Sequence, residues 1–157
     1  YLVPNDGRLE NIQRSCYPLD RLYTNLESIP HNSVTVMIDA CFSGSTRDDG
    51  TLFENGRAIG LHIETPPAGQ NMNVFSASQP SQISWAYPEK NHGLFSYFLM
   101  KGMKGEADTN SDRSITVAEL RTYVQQEVSR VAAVLEKDQV PQIDTPDPTR
   151  VLIRLAE

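Results

Sequence analysis

The feature that most constrains the fold is the apolar run SVTVMI at residues 33–38. Its β-branched residues favour a strand, and its lack of polar alternation is typical of a strand buried on both faces of a parallel sheet. The segment PLDRLYTNLESIP before it has leucines at helical spacing and ends at Pro30. A helix leading into a buried strand predicts an α/β domain whose largely parallel sheet is flanked by helices.

The rest of the chain continues this alternation of helices and strands. The pattern of apolar residues predicts further strands at residues 73–77 and 150–156, and helices at residues 92–104 and 116–135. A segment rich in Asp, Gly, Pro and Asn, residues 46–73, predicts a long surface loop. Because 157 residues suit one domain with a sizeable core, we expect a single domain over residues 1–157.

Charge and composition exclude several classes of partner. The net charge is -6 and Lys and Arg are not clustered, so we expect no nucleic-acid partner. No apolar run approaches the roughly 20 residues that span a bilayer, so we expect no membrane association. Cys16 and Cys41 are too few for a disulfide framework, which favours a cytoplasmic protein with free thiols, Cys16 being partly buried.

The predicted strand at residues 33–38 leads directly to an acid and a cysteine, in the sequence IDACFSGS. Ligand sites in open α/β sheets form at the carboxyl ends of strands, where Cys41 would lie. Its position alone fits either a nucleophile or a buried packing cysteine. Asp39 shares a strand face with Cys41, because side chains alternate with period two. Its carboxylate could bind a cation or accept neighbouring backbone N–H groups.

Several separated motifs resemble, in the same order, those of the caspase-like cysteine peptidases, in particular the metacaspase and bacterial caspase-like branch of peptidase C14. They are YLVPNDG, DACFSGS, VFSASQPSQISWAY, HGLFSYFLMKG and the tail QVPQ. The resemblance implies a caspase-hemoglobinase-like fold, of which this chain would be the C-terminal part. It also implies a cysteine endopeptidase that needs no cofactor for its chemistry.

In such peptidases Cys41 would be the nucleophile, and a histidine roughly 50 residues upstream would handle the protons. Only 40 residues precede Cys41, so we expect that histidine from an N-terminal segment outside this chain or from a companion chain. For His31, His62 and His92 we expect surface or capping roles.

The resemblance also implies a substrate class. Asp39 would select Arg or Lys as the residue whose carbonyl is attacked, in a peptide or protein substrate. Other residues near the bound peptide would be Ser76, Gln82, Ser84 and Trp85, although Trp85 could equally be half-buried packing. For an enzyme with this preference, Arg47 and Arg57 are candidate self-processing sites. The alternative is a catalytically inactive caspase-like scaffold that acts as a protein-interaction domain.

The sequence DTNSDRSITVAE at residues 108–119 matches the spacing of an EF-hand calcium loop. One feature departs from it, because Arg113 stands where the sharp turn favours Gly and must adopt a positive φ. Alternatively, Thr116 and Glu119 form a capping box for the following helix. The candidate calcium ligands are Asp108, Asn110, Asp112, the Ser114 carbonyl, Thr116 and Glu119.

A second calcium site is implied only by the resemblance to type I metacaspases. There an acid seven residues after the nucleophile contributes, and Asp48 stands at that position. The acidic pair expected earlier in the chain is reduced to Asp20 followed by Arg21.

Overall fold

The computed structural model describes residues 1–4, 6, 11–40, 69, 71–79 and 82–156. A 3-10 turn, Pro88–Lys90, and a π-helical turn, Gly102–Glu106, accompany the regular elements. In this part of the chain no helix is long and apolar enough to cross a membrane. The helices are α1 (Ile12–Ser15), α2 (Leu19–Ser28), α3 (Leu94–Lys101) and α4 (Val117–Val134). The strands are β1 (Val34–Ile38), β2 (Met72–Ser76), β3 (Ala86–Tyr87), β4 (His92–Gly93), β5 (Ser114–Thr116), β6 (Gln142–Asp144) and β7 (Val151–Arg154).

The central sheet has the strand order β1-β2-β6. Strands β1 and β2 are parallel, with Val34 opposite Met72 and Ile38 opposite Ser76. Strand β6 is antiparallel to β2 and lies between α4 and β7, where the sequence analysis predicts no strand. The predicted α/β class is confirmed, and the antiparallel strand was missed because its three residues carry little pattern of their own.

Burial in the sheet differs from the sequence expectation. Every residue of β2 is buried, whereas β1 is mostly half-buried and Met37 is 39% exposed. Within the described residues β1 pairs only with β2, which accounts for its greater exposure. Burial on both faces was therefore predicted for the wrong strand of the pair. Because the two strands are parallel, their carboxyl ends meet at one edge, where Ala77 N donates to the Ile38 carbonyl at 2.9 Å.

Helices α3 and α4 form the main core with the sheet. The apolar residues predicted to face inward are buried on α3, and on α4 they are buried as far as Val131. Leu135 is 41% exposed, contrary to the prediction, because α4 ends at Val134. Helix α3 begins at Leu94 and not at His92, because His92 and Gly93 pair with β3. Strand β5, which lies within the EF-hand-like segment 108–119, pairs with β7.

Candidate active site

Asp39 follows the last residue of β1 and is held by two serine hydroxyl groups. Ser84 Oγ donates to Asp39 Oδ1 at 2.6 Å, and Ser96 Oγ donates to Asp39 Oδ2 at 2.5 Å. Ser84 is buried, while Asp39 and Ser96 are partly exposed. Hydroxyl donors are neutral, so they orient the carboxylate and stabilise its charge without cancelling it. Both carboxylate oxygens of Asp39 are therefore oriented at the carboxyl edge of the sheet.

An open cleft of about 630 Å³ lies beside this carboxylate. Its volume is within the range of sites that bind small molecules or side chains. The hairpin of β3 and β4 supplies most of the wall, and Asn91 makes the turn with a left-handed backbone, φ 54°. The lining residues are Asp39, Ala86, Pro88, Asn91, His92, Gly93 and Ser96.

The four other residues predicted near the substrate are not all at this cleft. Ser84 contacts Asp39 directly. Ser76 is buried at the end of β2, where it pairs with Ile38 and Gln142. Gln82 and Trp85 contact residues 137–140 instead of lining the cleft.

Trp85 is held by its ring and its backbone. Lys137 Nζ lies 3.8 Å from the centroid of the indole ring, and Trp85 N donates to Gln139 Oε1 at 2.8 Å. The indole Nε1 is buried and has no hydrogen-bond partner among the residues that the structure describes. The expectation that Trp85 could be half-buried packing fits its intermediate exposure.

Sequence reasoning did not anticipate Ser96 or His92 in the cleft. Ser96 interrupts the apolar run LFSYFL, which is the one local signal that could have identified it. His92 was expected in a surface or capping role, and it lies exposed in β4 on the cleft wall. His31 lies at the other end of β1, where its Nδ1 contacts the Ile29 carbonyl.

Five residues singled out from the sequence lie outside the described part of the chain. The proposed nucleophile is one of them. The others are two candidate self-processing sites, one histidine and the candidate ligand of the second calcium site. They are Cys41, Arg47, Arg57, His62 and Asp48.

The EF-hand-like loop is stabilised by its own side chains. Asp108 accepts hydrogen bonds from Asp112 N at 3.2 Å and from Arg113 N at 3.0 Å. Asp112 Oδ1 accepts from Ser114 N at 2.8 Å, and Asn110 Oδ1 accepts from Asp112 N at 2.9 Å. Arg113 has φ 65°, so the predicted positive φ is confirmed.

Glu119 belongs to the capping box that was the alternative explanation of this sequence. Thr116 accepts from Glu119 N, and Glu119 Oε2 accepts from Thr116 N at 3.0 Å and Thr116 Oγ1 at 2.8 Å. These hydrogen bonds hold the pKa of Glu119 below its usual range, and the one from the Thr116 backbone has the largest effect. Thr109 Oγ1 donates to the other carboxylate oxygen of Glu119, Oε1, at 3.2 Å.

In this conformation the carboxylates of the loop are engaged by protein groups. Among the described residues, no three acidic, histidine or cysteine side chains are grouped so that they could hold a metal ion. The carboxylates instead accept hydrogen bonds from the loop and from the cap of α4. Calcium binding would require at least Glu119 to leave the cap.

Comparison with known proteins gives one match. The family model of the caspase domain, peptidase C14, matches residues 1–153. No curated protein and no solved structure matches the chain significantly.

Proposed function

This chain belongs to the caspase-domain family of cysteine peptidases, and on that premise we propose that it cleaves peptide bonds after Arg or Lys. The observation that carries the proposal is the carboxylate of Asp39, held by Ser84 and Ser96 beside an open cleft. A guanidinium or ammonium group entering the cleft would replace water around this charge and form charge-assisted hydrogen bonds. The net charge of -6 would also attract a basic peptide.

The chemistry would follow from a thiolate at Cys41. Its sulfur would form a bond to the scissile carbonyl carbon, and the carbonyl oxygen would become an oxyanion held by N–H donors. When the C–N bond breaks, the amine would leave with a proton from a histidine. A water molecule would then hydrolyse the thioester, release the acid and restore the thiol. Binding of the basic side chain at Asp39 would place the carbonyl for this attack.

The histidine of this reaction is proposed to come from outside residues 1–157. His31 lies at the amino end of β1, whereas Cys41 follows the carboxyl end, so His31 would be a strand length away. His92 lies in the cleft that is proposed to hold the basic side chain. The family resemblance supports a catalytic histidine from a segment upstream of Cys41 that would precede Tyr1, or from a companion chain.

Intact mass spectrometry with an Arg chloromethylketone probe tests this proposal on the full-length gene product. We expect one adduct, mapped to Cys41, that Cys41→Ala abolishes and Cys16→Ala leaves in place, because Cys16 is buried. Cleavage of Arg and Lys peptides should depend on Cys41 in the same way. Cys41 could react with iodoacetamide but form no adduct with the probe, and the protein could cleave no Arg or Lys peptide. In that case the proposal is wrong and the interaction-scaffold alternative is supported.

We also propose that residues 108–119 bind calcium, but weakly and without a part in the peptidase chemistry. The spacing of the acidic residues supports binding, and the hydrogen bonds of Glu119 in the cap oppose it. Release of Glu119 from the capping box would cost about 1 kcal/mol, and this cost lowers the affinity. The oxygen ligands are of the kind that calcium prefers.

We propose a cytoplasmic location on the basis of the cysteines. The chain has two cysteines, and Cys16 is free and buried. Free thiols persist in a reducing compartment, whereas secreted domains of this size usually carry disulfides. Fractionation of cells that produce the protein tests this location.

A further inference from the structure

The side chain of Gln139 joins the two ends of the segment that carries Ser84. Its Nε2 donates to the Ala77 carbonyl at 2.8 Å, and its Oε1 accepts from Trp85 N at 2.8 Å. The residue is only 1% exposed, so both groups depend on these partners and not on water. Residues 78–84 lie between the two contacts, so the amide fixes the start and the end of this segment.

Further contacts join the same part of the tail to the same segment. Val140 N donates to Gln82 Oε1 at 2.9 Å, and the Lys137 ammonium lies over the Trp85 ring. On its other side this part of the tail is attached to α4. We call residues 137–141 the clamp segment, because they connect α4 to residues 77–85.

The hydrogen bond to Trp85 N has a direct consequence for the cleft. Trp85 N belongs to the peptide plane that joins Ser84 to Trp85, so Gln139 fixes the backbone of Ser84. The Ser84 hydroxyl then reaches Asp39 Oδ1 at 2.6 Å. A chain of three contacts therefore leads from the buried amide of Gln139 to the carboxylate in the cleft.

We propose that Gln139 is a positioning residue for recognition of the basic side chain, acting through Ser84 on Asp39. This inference rests on the proposed function, because it assigns Gln139 to the same cleft. Gln139 contacts the wall of the cleft and not the reacting atoms. Its loss should therefore raise KM for Arg peptides and change kcat little, whereas general destabilisation would lower the amount of folded enzyme and leave KM unchanged.

The test compares Gln139→Met with Gln125→Met in the full-length gene product. Gln125 is the control, because its Nε2 donates to the Pro141 carbonyl at 3.0 Å, a hydrogen bond that holds the clamp segment and does not involve residues 77–85. KM and kcat are measured with one Arg peptide, and thermal unfolding is measured on both variants. Trp85 is the single tryptophan of residues 1–157, so its fluorescence reports a disturbance beside the clamp segment, while the anisotropy of a labelled Arg peptide reports binding to the Cys41→Ala form.

We expect Gln139→Met to raise KM and the dissociation constant of the peptide by about tenfold, with kcat within about twofold, because a buried acceptor and a donor lose their partner. Gln125→Met should leave KM near the unsubstituted value even where it lowers the unfolding temperature. If Gln139→Met folds poorly, Gln139→Glu keeps the acceptor for Trp85 N and should raise KM less.

Four outcomes would overturn the inference. Equal KM values for the two Met variants, or a Gln139 effect confined to the folded fraction, would show that the residue only stabilises the fold. If Gln139→Met folds poorly, Gln139→Glu is used instead. An unchanged KM in Gln139→Glu, together with a disturbed Trp85 spectrum, would also show that Gln139 only stabilises the fold. Failure of the unsubstituted protein to cleave or bind Arg peptides would overturn the proposed function as well. A failure of the Gln139 inference alone would be seen only in the variants.

Discussion

Ser96 Oγ, on helix α3, donates a 2.5 Å hydrogen bond to Asp39 Oδ2, just beyond strand β1. A side chain of the helical layer thus orients a carboxylate at the edge of the central sheet. Ser84 completes the arrangement from the segment before β3. A carboxylate with both oxygens held in this way is pre-organised for a cation, because little reorganisation is needed when one arrives.

Asp39→Asn should reduce cleavage after Arg more than cleavage after norleucine, which has no charge. Loss of the charge removes about 2 kcal/mol of interaction with the substrate cation, or roughly a thirtyfold fall in kcat/KM. Asp20→Asn is the control, because Asp20 is an exposed acid in the first turn of α2. Steady-state kinetics with matched Arg and norleucine peptides measure the effect. An unchanged preference for Arg in Asp39→Asn would contradict the assignment.

Ser96→Ala should weaken Arg recognition less than Asp39→Asn does. The substitution keeps the charge and removes one of its two hydroxyl donors, so we expect KM to rise by about five- to tenfold. Ser28→Ala is the control, because its hydroxyl bonds to the Asn25 carbonyl in α2, away from the cleft. A KM equal to that of Ser28→Ala would show that the hydrogen bond to Asp39 has no part in recognition.

Strong local patterns account for what could be predicted of the fold. The leucine spacing of α2, the β-branched run of β1 and the long valine stripe of α4 each identify an element without tertiary information. Strands β3, β4 and β6 have two or three residues each, and they exist because of partners elsewhere in the chain. Their pairing is a tertiary effect that periodicity does not report.

The candidate site divides in the same way. Asp39 and Ser84 could be selected from sequence, because one follows a predicted strand and both lie in motifs of the family. The contact of Ser96 with Asp39 spans 57 positions, and that of Gln139 with Ala77 spans 62. Gln139 begins the QVPQ motif of the tail, but nothing in the local pattern shows what its side chain contacts. Only the folded chain shows that its amide is buried between two backbone groups.

His92→Gln tests whether His92 is the histidine that transfers the proton. General acid–base catalysis contributes at least about a hundredfold, so loss of the catalytic histidine would reduce kcat by that factor. We expect kcat of His92→Gln to fall by less than about tenfold, with any change concentrated in KM, because His92 lines the cleft. A loss of kcat equal to that of Cys41→Ala would assign the role to His92 and contradict an external histidine.

Glu119 should make the stability of the domain depend on pH in acid. Its pKa in the folded state is lowered, chiefly by the backbone hydrogen bond from Thr116, from an ordinary value of 4.5. Its contribution is therefore present above pH 4.5 and is lost as the pH falls through the lower, folded-state pKa. Glu119→Gln keeps an acceptor in the capping box but cannot titrate.

The measurement is the unfolding temperature from pH 7 to pH 3. We expect Glu119→Gln to be less stable than the unsubstituted protein at pH 7 by about 0.5–1 kcal/mol, and the difference to shrink below pH 4.5. Glu136→Gln, at an exposed position after α4, is the control and should show no such convergence. A difference that is constant with pH would contradict a role for the charge.

Calcium binding by residues 108–119 should be weak and should improve when Arg113 is replaced by Gly. Arg113 already has φ 65° in this conformation, so the gain comes from removing a positive charge beside the metal site, which we expect to raise the affinity roughly fivefold. Isothermal titration with calcium chloride should give a dissociation constant on the order of 10⁻⁴–10⁻³ M for the unsubstituted loop. Asp108→Asn should weaken binding, whereas Asp147→Asn should not, because Asp147 bonds to Thr149 outside the loop. If Arg113→Gly shows no binding at millimolar calcium, residues 108–119 act as a helix cap alone.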